Sequence, residues 1–128
     1  MVKYLLLLVS TLFLITGCNN SGPVQSFEGY FHSVEASNTL RIDCSSVATR
    51  NDTDGTDIGY MCKVEVTENT IIKTEDGKKL NVDDLAEFDV EKINTPNSIK
   101  VVLAEESDIN RSASSREGLE ASEIVISN

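Results

Sequence analysis

The stretch that decides the fold reads Tyr-Met-Cys-Lys-Val-Glu-Val-Thr and occupies residues 60–67. Every second residue from Tyr60 to Val66 suits a buried face, whereas Lys63 and Glu65 lie between them. Side chains of a β-strand point alternately to the two faces of a sheet, so a period of two predicts a strand with one face in a core.

Weaker alternation on both sides of this stretch predicts further strands. They are expected at residues 27–34, 40–44, 70–74, 88–93, 99–104 and 119–126. The segment 70–74 is expected to extend the central strand beyond a kink. Gly29 marks a bulge or a bend in the first strand.

A short helix interrupts the predicted strands once. Asn81 is expected to cap it, because Asp83 and Asp84 then fall in the first turn, where the helix dipole favours acidic side chains. Short strands with a single helical interruption predict a mainly β fold, a small antiparallel barrel. The position of the helix after the third strand resembles an OB-like barrel.

Residues 64–90 also resemble segments of small exported bacterial domains of unknown function. The resemblance rests on a strand end, a tight turn, a helix end and a pair in the last strand: Thr70-Ile71-Ile72, Asp76-Gly77, Asp84-Leu85 and Ala121-x-x-Ile124. The chain departs from this pattern at Glu87-Phe88, where such domains usually have a glycine.

The amino-terminal residues have the layout of an export signal. Lys3 precedes an apolar run from Tyr4 to Ile15, which is shorter than the roughly 20 residues that a membrane-spanning helix needs. Thr16, Gly17 and Cys18 follow. This arrangement resembles the lipobox of bacterial lipoproteins. The resemblance implies cleavage between Gly17 and Cys18 and attachment of lipid, such as diacylglyceryl and palmitate chains, to Cys18.

The expected organisation follows from this signal. Residues 1–17 form a helical signal peptide, residues 18–26 form the lipidated cysteine and a flexible tether, and residues 27–128 form one domain. The protein is then expected to be anchored by its lipid in a cell membrane or outer membrane, facing the periplasm or the cell exterior. Two acyl chains suffice for stable anchoring.

Charge narrows the choice of partners. The chain carries 11 basic and 21 acidic residues, a net charge of −10 at pH 7. An acidic surface repels phosphate backbones, so no nucleic-acid partner is expected. It also repels an anionic membrane face, so the lipid alone is expected to provide membrane attachment.

The remaining cysteines, Cys44 and Cys62, are predicted to form a disulfide. Cys44 shares a strand face with Ile42, and Cys62 shares one with Val64, so both point into one core. Residues opposite each other in an antiparallel pair lie about 4.5 to 5.5 Å apart, within the range that a disulfide accepts. Two reduced, buried thiols are the alternative.

The acidic loop at residues 52–57 invites a calcium interpretation, with Asp52, Asp54 and Asp57 as weak candidate ligands. Placing Gly55 at the sixth position of a calcium loop puts Arg50 and Met61 where acidic ligands belong, so a solvated loop is favoured. No metal or other cofactor is therefore expected.

No catalytic residue is proposed from the sequence. His32 is the only histidine and lies on the polar face of its strand. Tyr30 is the one aromatic residue of the domain expected to face outward. The long polar loops 45–58 and 105–118 are where binding is expected, and Arg111 and Arg116 stand out there because cations are scarce.

The functional prediction is a non-enzymatic binding or accessory module whose partner is a protein or another envelope component. Two alternatives remain open. One is a cation-dependent module that uses residues 52–57, and the other is a hydrolase whose site assembles only in three dimensions.

Overall fold

The computed structural model describes residues 22–36, 38–52 and 59–128, and within them the fold is mainly β, as predicted. The described strands are β1 (Val24–Glu35), β2 (Thr39–Asp43), β3 (Met61–Glu65), β4 (Ile71–Thr74), β5 (Lys79–Leu80), β6 (Ser98–Ser107) and β7 (Leu119–Ile126). The described helices are α1 (Ser45–Ala48) and two 3₁₀ helices, Val82–Phe88 and Ala113–Arg116.

The strands form one sheet in the order β3-β2-β1-β6-β7-β4-β5, and β3 also pairs with β7. The ladders that join β3, β2, β1, β6 and β7 in sequence are antiparallel, as predicted. The two ladders that β7 makes with β3 and β4 are parallel, so the expectation of a purely antiparallel sheet is wrong for them.

The parallel ladders arise because β4 continues in the direction of β3. Both strands lie along β7: Val64 is opposite Leu119, and Ile72 is opposite Ile124. A turn separates them, in which the Thr70 amide donates to the Thr67 carbonyl at 3.1 Å. The predicted kinked extension at residues 70–74 is therefore a separate strand with the same direction.

The core is built from the apolar face of each strand. Its fully buried side chains include Phe31, Leu40, Ile42, Val64, Leu85, Ile99, Val101, Leu103, Ile124 and Ile126. Each such side chain contributes about 1.5 to 3 kcal/mol relative to an exposed one. Cys44 and Cys62 are also buried in this core, as the alternation predicts.

The predicted strand at residues 88–93 is wrong. The predicted helix begins after Asn81, whose amide donates to Asp84 Oδ2 at 2.7 Å, and it continues to Phe88. Asp89 then accepts the amide of Glu91 at its carboxylate and that of Lys92 at its carbonyl. These local bonds compete with a strand ladder and favour a turn.

Both predicted loops contain regular structure. Residues 45–48 form α1, since Val47 and Ala48 bury their side chains, and residues 53–58 lie outside the described part of the chain. In the second loop, residues 105–107 extend β6 and residues 113–116 form a 3₁₀ helix. Ile109 is fully buried between them, which pins a segment that the sequence suggests is exposed.

The described chain begins at residue 22, and β1 begins at Val24. Residues 24–26, predicted as tether, therefore belong to the first strand, where Val24 pairs with Ser107. The lipobox residues, including Gly17 and Cys18, lie outside the described residues. Within the described part, no helix is long and apolar enough to cross a membrane.

Candidate functional site

The first strand changes its partners halfway along its length. On one side it pairs with β6 from Val24 to Tyr30. On the other side it pairs with β2, but this ladder stops where Tyr30 meets Asp43. In the described residues, the segment 24–29 therefore has a strand neighbour on one side only.

Gly29 stands at the point where the β2 ladder stops. A Cβ atom at this position would overlap the carbonyl oxygen of Asp43 and crowd the side chain of Ile42. A glycine here permits a close backbone approach that no other residue allows. The register shifts of β1 lie at residues 24–26 and 31–33, so no bulge lies at Gly29, and Gly29 instead marks the close approach of β1 to β2.

One hydrogen bond shows which main-chain groups of β1 point toward β6 and which point away from it. The amide of Phe31 donates to the Asn97 carbonyl on the β6 side at 2.9 Å. Main-chain groups of successive residues point to opposite sides of a strand, so those of Phe27 and Gly29 also face β6. Those of Ser26 and Glu28 face the other side, where no strand of the described chain pairs with them.

Helix α1 lies beside this half of β1, with Val47 and Ala48 buried. It follows Asp43 directly, and the disulfide between Cys44 and Cys62 holds its start, with the Cα atoms 5.7 Å apart. The predicted disulfide is confirmed. Its geometry is diagonal, because Ile42 is the residue opposite Cys62 and the Cys44 amide donates to the Tyr60 carbonyl.

Arg50 holds the other end of α1. Its guanidinium donates to the carbonyl oxygens of Val47 at 2.6 Å and Gly22 at 2.7 Å, and also to the carbonyl of Ile109. It forms an ion pair with Asp108 at 3.1 Å, and its side chain is only 14% exposed. Helix α1 is therefore fixed beside the amino-terminal half of β1 at both ends.

A groove runs along this half of β1, reaches α1 on one side and extends over β6 and β7 on the other. It consists of two adjoining depressions of about 480 and 460 Å³, which share Glu28, Ser46 and Lys100. The larger depression is also lined by Gly29, Tyr30, Glu75, Ser98, Ile99 and Val125. The smaller one is also lined by Val24, Ser26, Phe27, Val47 and Arg50.

Two features give the groove a binding character. Phe27 and Val47 are buried and give its floor an apolar surface. Tyr30 is 50% exposed at one end, which confirms the prediction that this ring faces outward. An apolar floor with a few polar groups around it is typical of recognition sites.

The acidic-loop candidates are only partly described. Asp52 Oδ2 accepts a hydrogen bond from Arg111 Nε at 2.6 Å, so its carboxylate is engaged in an ion pair. Asp54 and Asp57 lie outside the described residues. Within the described part, no three acidic, histidine or cysteine side chains gather as a metal-binding group.

Arg116 ties the 105–118 segment to β3. Its Nη1 donates to the Met61 carbonyl at 2.6 Å, its Nη2 donates to the Arg111 carbonyl at 3.3 Å, and its guanidinium lies 5.1 Å from the centre of the Tyr60 ring. Arg111 and Arg116 therefore both join the 105–118 segment to other parts of the described chain. His32 is half-buried, with Nδ1 2.9 Å from Ser33 Oγ.

One carboxyl group has a perturbed pKa. The Thr74 hydroxyl donates a hydrogen bond to the carboxylate of Asp76 and lowers the pKa of Asp76. This bond orders the turn between β4 and β5, next to Glu75 at the edge of the groove. The effect fixes a turn and involves no group that lines the groove.

The sequence did not reveal that the β2 ladder ends at Tyr30, or that α1 lies beside the first half of β1. The only signal was Gly29, because a glycine within an alternating strand can mark close backbone approach. No protein-family model, curated protein or solved structure matches the chain.

Proposed function

We propose that the protein is a lipid-anchored binding module of the bacterial cell envelope, which recognises a partner protein through the groove between β1 and α1. The observation that carries this proposal is the groove itself, which has a half-exposed Tyr30 in one depression and the apolar side chains of Phe27 and Val47 in the adjoining one. These are groups that bind, and we propose recognition rather than catalysis.

We also propose that the sheet is a closed barrel of OB-like topology. Support comes from the order of the ladders, since β3 pairs with β2, β2 with β1, β1 with β6, β6 with β7, and β7 with β3 again. The Val82–Phe88 helix falls between the third strand and the last two of this circuit. Gly29 allows β1 to serve two partners in sequence.

The anchor is proposed from the lipobox at residues 15–18. Because β1 begins at Val24, residues 19–23 alone would link Cys18 to the domain. Five extended residues reach about 17 Å, so the groove would stay near the bilayer surface. The Cys18→Ser variant should then fail to incorporate labelled fatty acid, and incorporation at the level of the unaltered protein would exclude the anchor.

Site-specific crosslinking tests the groove. A photoreactive amino acid replaces Tyr30 in the full chain expressed in its own cells, and a second strain carries it at Ile71. The two side chains are matched, since they are 50% and 51% exposed, but Ile71 does not line the groove. A partner crosslinked at position 30 and not at 71 supports the proposal; no difference between the positions contradicts it.

A further inference from the structure

We propose that the partner protein docks on the outward face of β1, β6 and β7 and places an arginine side chain in the larger depression, against Tyr30 and Glu28. This inference rests on the proposed function and specifies the chemistry of the partner. The larger depression has a volume of about 480 Å³ and lies across these three strands.

The register of the strands brings the outward side chains of the depression together. Glu28 lies opposite Lys100, and Lys100 lies opposite Val125. Tyr30 follows Glu28 on the same face of β1, because side chains of a strand alternate between the two faces of a sheet. The residues between them point the other way, and Ile99 is buried in the core. These four side chains therefore share the solvent side of the sheet.

The charged groups of the depression have no partners in the described chain. Glu28, Glu75 and Lys100 are exposed, and among the described residues none of their side chains takes part in a hydrogen bond or an ion pair. On the same sheet, by contrast, Lys73 and Glu123 form an ion pair at 3.6 Å. A ligand of the depression therefore gains charged partners without breaking an ion pair of the described chain.

The balance of charge favours a cationic ligand group. Glu28 and Glu75 bring two carboxylates to the depression and Lys100 brings one ammonium group, on a chain with a net charge of −10. Electrostatic complementarity therefore selects a basic side chain of the partner.

The neighbourhood of Tyr30 favours arginine among the basic side chains. Tyr30 and Glu28 are two residues apart on one strand face, which corresponds to roughly 6.6 Å along the strand. A guanidinium group is planar and permanently charged, so it can stack on the exposed ring and donate hydrogen bonds to the carboxylate. Tyrosine and arginine are also among the residues that contribute most to the affinity of protein interfaces.

A second copy of this chain is a poor source of that arginine. The chain has four arginines, and Arg50, Arg111 and Arg116 donate hydrogen bonds within the described chain. Arg41 is half-buried on β2. Two copies would also bring together the same net negative charge. We therefore assign the arginine to a different protein.

The test uses the full-length protein in nanodiscs of zwitterionic lipid and the acetylated, amidated peptide Gly-Ser-Arg-Ser-Gly. The methyl signals of Val125 and Ile71 in NMR spectra report on the depression and on an exposed position outside it. The peptide should shift Val125 and not Ile71. A peptide with citrulline in place of arginine lacks the charge and should bind about threefold more weakly. No shift of Val125 at about 10 mM peptide, or equal affinity for both peptides, overturns the inference.

Variants of the depression test the sign of each charge. Glu28→Gln should weaken binding of the arginine peptide about threefold. Glu120→Gln removes the same charge from an exposed position of β7 outside the depression and should have no such effect. Lys100→Met removes a like charge but keeps an apolar side chain, and it should strengthen binding about twofold.

Two results with these variants overturn the inference. Equal weakening by Glu28→Gln and Glu120→Gln would mean that only the net charge of the protein attracts the peptide. Weaker binding by Lys100→Met would mean that the ammonium group contacts the ligand, as it would with an acidic segment or a saccharide. Thermal unfolding of each variant checks that the fold is retained.

The outcomes separate this inference from the proposed function. A partner that crosslinks at position 30 and not at 71, together with equal affinity for the arginine and citrulline peptides, overturns the arginine and leaves the binding function intact. A dimer of the protein that Glu28→Gln disrupts also overturns the assignment to a different protein. Equal crosslinking at positions 30 and 71 removes the proposed function itself.

Discussion

The two halves of β1 belong to one continuous strand but have different environments. From Tyr30 to Glu35 the strand is satisfied on both sides: β2 pairs with it along one edge, and the amide of Phe31 and the carbonyl of His32 bond to Asn97 and Val90 on the other. From Val24 to Gly29 only β6 pairs with it. A single strand can thus contribute to the core along its whole length while it pairs with two strands in one half and with one strand in the other.

The comparison also shows how the half of β1 without a second ladder is covered. The closed half is held by a ladder, whereas the open half is faced by a helix that makes no ladder with it. This helix depends on a disulfide at one end and on Arg50 at the other. Variants that lack the disulfide, Arg50 or the close approach at Gly29 should therefore lose stability to different extents.

Loss of the disulfide should have the largest effect. The bridge links residues separated by 18 positions, and closing a loop of this length stabilises a fold by about 3 kcal/mol. The Cys44→Ala, Cys62→Ala double variant should therefore lose about that free energy of unfolding, measured with denaturant. Adding reductant to the unaltered protein is the control, and a loss well below about 1 kcal/mol in both would contradict the account.

Adding a methyl group at the junction of the two halves should come next. Gly29→Ala places a Cβ atom against the Asp43 carbonyl and should cost about 2 kcal/mol, the usual range for overpacking. Gly59→Ala is the matched control, because no atom lies near its added Cβ. Equal stability of the two variants in thermal and denaturant unfolding would show that β1 and β2 do not approach as described.

Release of α1 at its other end should cost less. Arg50→Met leaves the carbonyl groups of Gly22 and Ile109 without their donor and should lower the free energy of unfolding by about 1.5 kcal/mol. The comparison is Arg111→Met, whose exposed ion pair with Asp52 contributes about 0.5 kcal/mol or less. An Arg111→Met loss as large as that of Arg50→Met would mean that α1 is not specially held.

Truncation of the exposed aromatic ring should have the smallest effect on stability. Tyr30→Ala and Ile71→Ala remove side chains of equal exposure and should each change the free energy of unfolding by about 0.5 kcal/mol or less. Only Tyr30→Ala should weaken capture of the partner that crosslinks at position 30. Equal weakening by both variants would place the binding surface outside the groove.

The strands could be predicted where alternation is strong and could not where local bonds compete. The segment 60–66 and the last strand follow the period of two closely, and the pairing of Cys44 with Cys62 follows from their faces. The segment 88–93 also has apolar residues at Phe88, Val90 and Ile93, but Asp89 turns the chain by binding neighbouring amides. No local pattern reveals such competition.

The groove could not be predicted because it depends on where a ladder ends. Tyr30 was identified as outward-facing, and Gly29 as irregular, yet the open edge arises only when Asp43 turns into α1. The loop arginines were noticed for their scarcity, but their partners, such as the Met61 carbonyl of Arg116, are main-chain groups that no side-chain pattern indicates.

Amide hydrogen exchange along β1 tests the central claim most directly. In the free protein, the amides of Phe27 and Gly29 should be protected because they face β6, whereas those of Ser26 and Glu28 should exchange rapidly because they face the groove. If these two amides exchange in the free protein as slowly as Phe27 and Gly29, the edge is already occupied and the account is wrong.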